Sequence, residues 1–153
     1  TRVFAQASTF SDLEAPNLSV MAQIEFAEGI QAHMWITAEL PSPSLPSSEV
    51  RFQVFGRDAM FDLENFEFLK LGQGDTWERI YEPERFDYLK EPKSPIRLFP
   101  HTGVVQEFVD SIREQRPPAV GGVEGRKAVE ICEACLRSAQ TGTAVNLPLS
   151  ASP

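Results

Sequence analysis

Two runs of alternating apolar and polar residues, at 18–26 and 30–36, constrain the fold of this chain more than any other feature. Successive side chains of a β-strand point to opposite faces, so this period of two predicts two half-buried strands. The face predicted to be buried consists of Leu18, Val20, Ala22, Ile24 and Phe26 in the first run and Ile30, Ala32, Met34 and Ile36 in the second.

The segment Ala27-Glu28-Gly29 between the two runs sets the register of this hairpin. A three-residue loop pairs Ile24 with Ala32, whereas a two-residue turn sets Ile24 against the polar His33. Because a slip of one residue moves every side chain to the other face, we expect the three-residue loop. It requires a type I turn with Gly29 in the left-handed conformation.

The same register brings Met21 beside Trp35 and Gln23 beside His33 on the opposite face of the hairpin. Aromatic and Met side chains within a polar rim are typical of protein interfaces. We therefore predict that Met21, Gln23, His33 and Trp35 form an interface through which the chain assembles as a homodimer or homotetramer. The alternative is that another domain covers this face.

Two more hairpins follow a Pro/Ser-rich connector at 41–48, which we interpret as a surface loop within one domain. In the first hairpin, Gly56-Arg57 is predicted to form a type II′ turn that places Arg51 opposite Asp62. Its core face is predicted to contain Val50, Phe52, Val54, Ala59, Phe61 and Leu63. The next hairpin is predicted at 66–71 and 76–82, and residues 83–100, with four prolines, receive no regular assignment.

Beyond residue 101 the apolar period becomes helical. One helix is predicted from a Thr102 cap to Pro117-Pro118, with the apolar stripe Val104, Val105, Phe108, Val109 and Ile112. A second precedes Gly142 and has the stripe Ala128, Ile131, Cys132, Cys135, Leu136 and Ala139. A short strand is expected at 143–147. The class is α+β: a mostly antiparallel sheet of six or seven strands, with two helices on one face, in a single domain spanning 1–153.

Charge and composition exclude several classes of function. Fourteen basic against 22 acidic residues give a net charge of −8, which disfavours nucleic acids and anionic membranes as partners. No apolar stretch is long enough for a membrane helix, and the N-terminal residues do not resemble a secretory signal. With only two cysteines, the chain is expected in a reduced, cytoplasmic setting.

Three motifs are interpreted as structural. Cys132 and Cys135 have the C-x-x-C spacing of some zinc sites. A structural zinc needs four ligands, however, and the sequence has no second pair, so no metal site is expected. Both cysteines are instead predicted to be core residues. The glycines at 121–125 and 72–74 lack the preceding strand of a dinucleotide fingerprint, so no cofactor binding is expected there. Glu124, Glu130 and Glu133 are predicted to lie on a solvated helix face.

His101 is the one candidate for substrate binding. It precedes the first predicted helix, among loop prolines, where site residues often collect; the alternative is an ordinary loop histidine. No arrangement of Ser, His and Asp predicts nucleophilic catalysis, so no catalytic residue is assigned.

Five segments of the C-terminal third are distinctive as a set: 107–112 (EFVDSI), Arg116-Pro117-Pro118, 125–134 (GRKAVEICEA), 137–142 (RSAQTG) and 145–148 (VNLP). Together they resemble the Gfo/Idh/MocA family of oxidoreductases, the relatives of glucose–fructose oxidoreductase and inositol dehydrogenase. Upstream, Phe26-Ala27-Glu28-Gly29-Ile30 and Val54-Phe55-Gly56 are similar to that family's hairpins.

The resemblance implies a two-domain enzyme in which a Rossmann domain binds NAD or NADP and a C-terminal α/β domain lines the substrate site and builds oligomers. The family's catalytic Glu-Lys-Pro motif and Asp/His pair do not occur in this chain. We therefore expect the substrate and oligomerisation domain of a dehydrogenase acting on a sugar, cyclitol or related polyol. By itself it is expected to be inactive, with the Rossmann domain absent. The alternative is a non-enzymatic interaction or ligand-binding domain that keeps only the sheet.

Overall fold

Alternating side chains along most of the first 81 residues produce strands, and helical periodicity near the C-terminus produces two helices. The computed structural model describes residues 1–40, 50–64, 68–82, 84, 90, 93 and 95–150, without the side chains of 96, 97 and 100. The strands are β1 (Arg2–Ser8), β2 (Ser19–Glu25), β3 (Gln31–Thr37), β4 (Arg51–Phe55), β5 (Ala59–Glu64), β6 (Phe68–Gln73), β7 (Thr76–Tyr81) and β8 (Val145–Asn146). The helices are α1 (Pro95–Arg113) and α2 (Gly122–Thr141).

The predicted α+β class is confirmed, with eight antiparallel strands among the described residues, in two four-stranded sheets rather than six or seven strands in one. The described residues group into two compact units. The first unit is Thr1–Pro41 with Pro117–Pro153, and the second unit is Ser42–Arg116. The Pro/Ser-rich connector lies outside the described residues. Within the part described, no helix combines the length and apolar character of a membrane span.

The sheet of the first unit has the order β3-β2-β1-β8. The inner strand β1, which lies between β2 and β8, has no counterpart among the strands predicted from the sequence. Helix α2 packs against β1, and the buried apolar core lies between them. The core residues are Val3, Ala5, Ala22, Ile24, Ala134 and Cys135. Because most of them are small, the helix can lie close to the strand.

The predicted register of the β2–β3 hairpin is confirmed: Ala22 pairs with Met34 and Ile24 with Ala32. Gly29 has the predicted left-handed backbone, with φ of 77°. The type I turn is wrong, however, because Glu28 is left-handed as well, with φ of 61°. Strand β3 forms the edge of the sheet, so Ile36, which was predicted to be buried, is exposed.

Helix α2 buries a different stripe from the one predicted. Ala134, Cys135 and Ser138 are buried, whereas Cys132 is exposed, so the prediction that both cysteines are core residues is wrong for Cys132. The sequence analysis assigned Cys132 to the buried stripe because it judged helix positions by their apolar character alone. The packing instead selects the side of the helix that carries Ser138, which is fully buried.

The burial of Ser138 follows from the shortness of β8, which pairs only with Arg2 and Val3 of β1. Continuing that register would set Ala5 opposite Thr143. Instead, the Ala5 N–H donates to Ser138 Oγ at 2.9 Å, and the Ser138 hydroxyl donates to the Thr143 carbonyl at 2.7 Å. The serine thus satisfies two backbone groups just beyond the end of the strand ladder.

The sheet of the second unit has the order β4-β5-β6-β7. In its first hairpin, Gly56 donates to the Ala59 carbonyl at 2.9 Å, so the turn residues are 57–58 and the predicted register is wrong by two residues. Arg51 consequently lies opposite Glu64 rather than Asp62. Gly56 is favoured because an added Cβ would lie 3.0 Å from that carbonyl oxygen.

Two other predictions for the second unit need correction. Phe52 and Val54 are exposed rather than part of a core. Helix α1 begins at Pro95, so Thr102 is not its cap; its hydroxyl donates to the Leu98 carbonyl at 2.9 Å within the helix. The third hairpin is present as β6–β7, with a tighter turn at Gly74 and Asp75.

Candidate functional site

The first candidate surface is the side of the first unit's sheet that faces away from α2, here called the open face. Its register is as predicted, with Met21 beside Trp35 and Gln23 beside His33. Strand β1 adds side chains that the sequence analysis did not place there. The open face includes Phe4, Gln6, Met21, Gln23, His33 and Trp35, all of them exposed, and the Arg2–Glu25 ion pair lies beside them on the same face.

A hollow of about 100 Å³ lies on the open face, lined by Phe4, Gln6, Met21, Ala22, Gln23 and His33. This volume is below the range of about 300–1,000 Å³ that is usual for small-molecule sites. Its lining combines apolar and amide groups without a carboxylate or an ammonium group. The chemistry therefore fits a protein surface better than a small ligand.

Glu39 holds the loop between β1 and β2 at one end of this sheet. Its carboxylate accepts the backbone N–H groups of Phe10 and Ser11, both at 2.8 Å, and the Ser19 hydroxyl at 2.5 Å. Desolvation raises the pKa of Glu39, but these hydrogen bonds outweigh it and lower the pKa from 4.5 to about 2. A carboxylate so firmly ionised is a structural anchor and a poor general base at neutral pH.

The second candidate surface lies on the sheet of the second unit. An open hollow of about 460 Å³, here called the Asp62 depression, falls within the size range of small-molecule sites. It is lined by Arg51, Gln53, Phe55, Phe61, Asp62, Lys70 and Trp77. Three of these are charged and three are aromatic, a mixture that can bind both the polar and the apolar parts of a ligand.

Asp62 is the organising residue of this depression. Arg51 binds it through two parallel contacts, Nε to Oδ1 and Nη2 to Oδ2, both at 3.0 Å. The Arg51 hydrogen bonds hold the pKa of Asp62 below its ordinary value, against desolvation, and Lys70 adds to the effect. The sequence analysis predicted an Arg51–Asp62 charge pair; the contact is present, but diagonally across the strands and not directly opposite.

Trp77 forms an aromatic wall of the depression. It pairs with Gly72 across β6 and β7, and a Cβ at Gly72 would lie 3.0 Å from the indole ring. The glycine therefore lets the ring lie against the neighbouring backbone. The ring is still half exposed and available for contact.

The remaining predicted residues line neither hollow. His101 is an exposed residue within α1, not a loop residue before it, and it lines neither hollow. Among the residues that the structure describes, no group of His, Cys, Asp and Glu side chains could hold a metal ion.

Of the acidic residues of α2 that were predicted to be solvated, Glu124 is exposed and the Glu133 side chain is nearly half exposed, whereas the Glu130 side chain is largely covered. The Glu124 carboxylate accepts the Gly121 N–H at 3.0 Å, so the glycine-rich helix start already faces a negative charge. Glu130 is partly buried and accepts the Leu149 N–H at 2.8 Å, which ties the C-terminal segment to the helix.

Comparison with known proteins places this fold in a family. Residues 2–147 match the family model described as "Oxidoreductase family, C-terminal alpha/beta domain", that of the Gfo/Idh/MocA oxidoreductases. The chain belongs to this family. No curated protein matches the sequence.

Three solved structures that share the fold of this oxidoreductase C-terminal domain are distant from it in sequence. An Agrobacterium radiobacter oxidoreductase in complex with NAD+, L-tartaric acid and magnesium is 14% identical, with a TM-score of 0.78 over 95% of this chain and 42% of its own. The aldose-aldose oxidoreductase of Caulobacter crescentus, complexed with glycerol, is 21% identical, with a TM-score of 0.72 over 95% of this chain and 41% of its own.

The WlbA dehydrogenase of Bordetella pertussis, in complex with NADH and UDP-GlcNAcA, is 18% identical, with a TM-score of 0.72 over 97% of this chain and 42% of its own. At these identities the likeness shows the fold alone. The oxidoreductase C-terminal domain thus spans about two fifths of the length of these three proteins.

Proposed function

We propose that this chain is the substrate-site and assembly domain of an NAD- or NADP-dependent dehydrogenase that acts on a sugar, cyclitol or related polyol. The observation that carries the proposal is the family match over residues 2–147. The names of similar structures add support, since they include NAD+ or NADH together with sugar derivatives or a hydroxy acid.

The partner that this proposal requires is a Rossmann domain of the same protein. The nicotinamide, when bound there, supplies the hydride chemistry, and the present domain orients the substrate and excludes water from it. These separate roles agree with the sequence analysis, which assigned no catalytic residue to this chain. We assign no catalytic residue to residues 1–153.

The experiment compares two proteins: residues 1–153 alone, and a chain that carries a nucleotide-binding domain ahead of Thr1. Each is mixed with NAD+ or NADP+ and a panel of sugars, cyclitols and polyols, and cofactor reduction is followed by absorbance. Only the longer protein should turn over. Turnover by residues 1–153, or saturable binding of cofactor by them in calorimetry, would contradict the proposal, as would a longer protein inactive on the whole panel.

The assembly role is assigned to the open face. Trp35 and Met21 offer exposed apolar surface, and Gln6, Gln23 and His33 offer hydrogen-bonding groups around it, a composition that interfaces favour. His33 is the one ionisable side chain among these six residues, and the neighbouring Arg2 and Glu25 form an ion pair at 3.6 Å, so a second copy would cover few unpaired charges.

A single substitution with a matched control tests this surface. Trp35→Lys should convert a dimer to a 17.1 kDa monomer in light scattering, with an unchanged circular dichroism spectrum. Ile36→Lys is the control: the neighbouring residue is 59% exposed against 54% for Trp35 but points to the other face. A wild-type protein that is monomeric at tens of micromolar, or a Trp35→Lys variant that still dimerises, would refute the assembly role.

A further inference from the structure

The side chains that line the Asp62 depression carry one more positive than negative charge. Of the three charged residues that line it, Arg51 and Lys70 are cations and Asp62 is the anion. Both Asp62 oxygens are held by Arg51. Those two contacts leave the other three of the five guanidinium N–H donors for a further acceptor. Glu64, which lies opposite Arg51 and 4.0 Å from Lys70, is a second anion beside the depression, so the excess of one positive charge belongs to the lining residues alone.

Lys70 lies directly opposite Asp62 on the neighbouring strand. Its Nζ is 4.0 Å from the Glu64 carboxylate, at the outer limit of an ion pair, and 4.9 Å from the centre of the Phe68 ring. Both contacts leave the ammonium group room for a stronger acceptor. Arg51 and Lys70 therefore lie on either side of one carboxylate, so that two cations converge on the same hollow.

The aromatic side chains supply the second half of a ligand site. The Trp77 ring lies against the Gly72 backbone, which restricts the ring on one side. Phe55 and Phe61 extend the apolar lining. An indole face stacks well on the C–H face of a ring-shaped ligand, and a ring that is already restricted loses less conformational freedom on binding.

From this arrangement we propose that the Asp62 depression binds a negatively charged sugar, whose carboxylate or phosphate lies between Arg51 and Lys70 and whose ring stacks on Trp77. The role of Asp62 is to hold the Arg51 guanidinium in place. Only the choice of a sugar as the carrier rests on the proposed function; the recognition of an anion rests on these side chains.

The test uses the full 153-residue chain and three probes: D-glucuronate, glucose 6-phosphate and uncharged glucose. Binding is followed by NMR through the indole N–H signal of Trp77, which a Trp35→Phe variant distinguishes from the only other indole. At least one charged probe should shift the Trp77 signal saturably and bind at least about tenfold more tightly than glucose. Stronger binding of glucuronate identifies a carboxylate ligand, and stronger binding of glucose 6-phosphate identifies a phosphate ligand.

Two variants with the same change of charge separate the site from general electrostatics. Lys70→Gln should weaken binding by about tenfold, the loss expected for one charge-assisted hydrogen bond. Arg126→Gln should leave affinity within about twofold, because Arg126 belongs to α2 of the first unit, does not line the depression and is paired with Glu130.

Equal affinity for glucose and the charged probes, equal effects of the two variants, or no saturable shift at millimolar concentration would each overturn the anion site. None of these results would affect cofactor reduction by the longer protein, so the anion site and the dehydrogenase function fail separately.

Discussion

The two units of this molecule are built from similar four-stranded antiparallel sheets, but among the described residues only the first unit buries apolar side chains. All six buried apolar residues that the structure describes belong to the first unit, where α2 packs on β1. In the described part of the second unit, the buried residues are Asp62, Gly72 and Ser111. A shared sheet architecture therefore does not imply a shared source of stability.

The difference arises from what lies against each sheet. In the first unit, the small residues Ala134, Cys135 and Ser138 let a helix lie close to the inner strand β1 and exclude water. In the second unit, one sheet face carries the Arg51–Asp62 pair and the half-exposed Trp77. The first unit is thus suited to stability, while the second presents groups that can bind a ligand.

The largest expected effect comes from placing a charge in the core of the first unit. Val3 is fully buried in the inner strand β1, so Val3→Asp should lower the free energy of unfolding by about 3–5 kcal/mol. Val54→Asp is the matched change in the second unit, where Val54 is 57% exposed on β4, and should cost less than about 1 kcal/mol. Denaturant titration measures both, and equal losses would contradict the contrast between the units.

A smaller effect is expected at Ser138, which connects the core to the strand ladder. Ser138→Ala leaves the Ala5 N–H and the Thr143 carbonyl without their partner and should cost about 1–3 kcal/mol. Faster hydrogen exchange at the Ala5 amide should accompany the loss. Gln140→Ala, at an exposed position of the same helix, should change stability by less than about 0.5 kcal/mol. Similar losses for both variants would assign the effect to the helix in general.

The sequence was most informative where hydrophobic period and turn length gave the same answer. The register of the β2–β3 hairpin follows from the alternation around Ile24 and Ala32, because any slip would bury polar residues. The same argument placed Met21 beside Trp35. It failed at Gly56, where a glycine was assigned to the turn although its role is to allow close approach to the Ala59 carbonyl.

Tertiary packing explains the other errors. Strand β1 alternates mainly through small residues such as Ala5, whose burial depends on α2, more than a hundred residues away. The exposure of Cys132 and the burial of Ser138 likewise depend on which side of α2 meets β1. The Asp62 depression joins residues of four strands, so the pair Arg51–Asp62 was predictable but the hollow around it was not.

The Arg51–Asp62 pair should contribute less than Ser138, and its contribution should depend on pH. A double-mutant cycle with Arg51→Gln and Asp62→Asn should give a coupling energy of up to about 1 kcal/mol, since the arginine is half exposed. The folded-state pKa of Asp62 lies below its ordinary 3.8, so the coupling should be complete above pH 3.8. It should be lost as the pH falls through the folded pKa. A coupling that is unchanged at pH 2 would contradict this assignment.

We expect the smallest effect on stability at the two cysteines of α2, one of which is exposed and the other buried. Cys132 is exposed, so Cys132→Ser should change the free energy of unfolding by less than about 0.5 kcal/mol.

Cys135 is buried, and desolvation, with a contribution from Cys132, raises the pKa of its thiol. Because the thiolate is the reactive form, Cys135 should react at least about tenfold more slowly than Cys132 with a thiol reagent. Counting thiols against time in native and unfolded protein measures this: one fast thiol per chain is expected in the native state and two after unfolding. Two fast thiols in the native protein would place Cys135 outside the core and remove one of the six residues on which the contrast between the units rests.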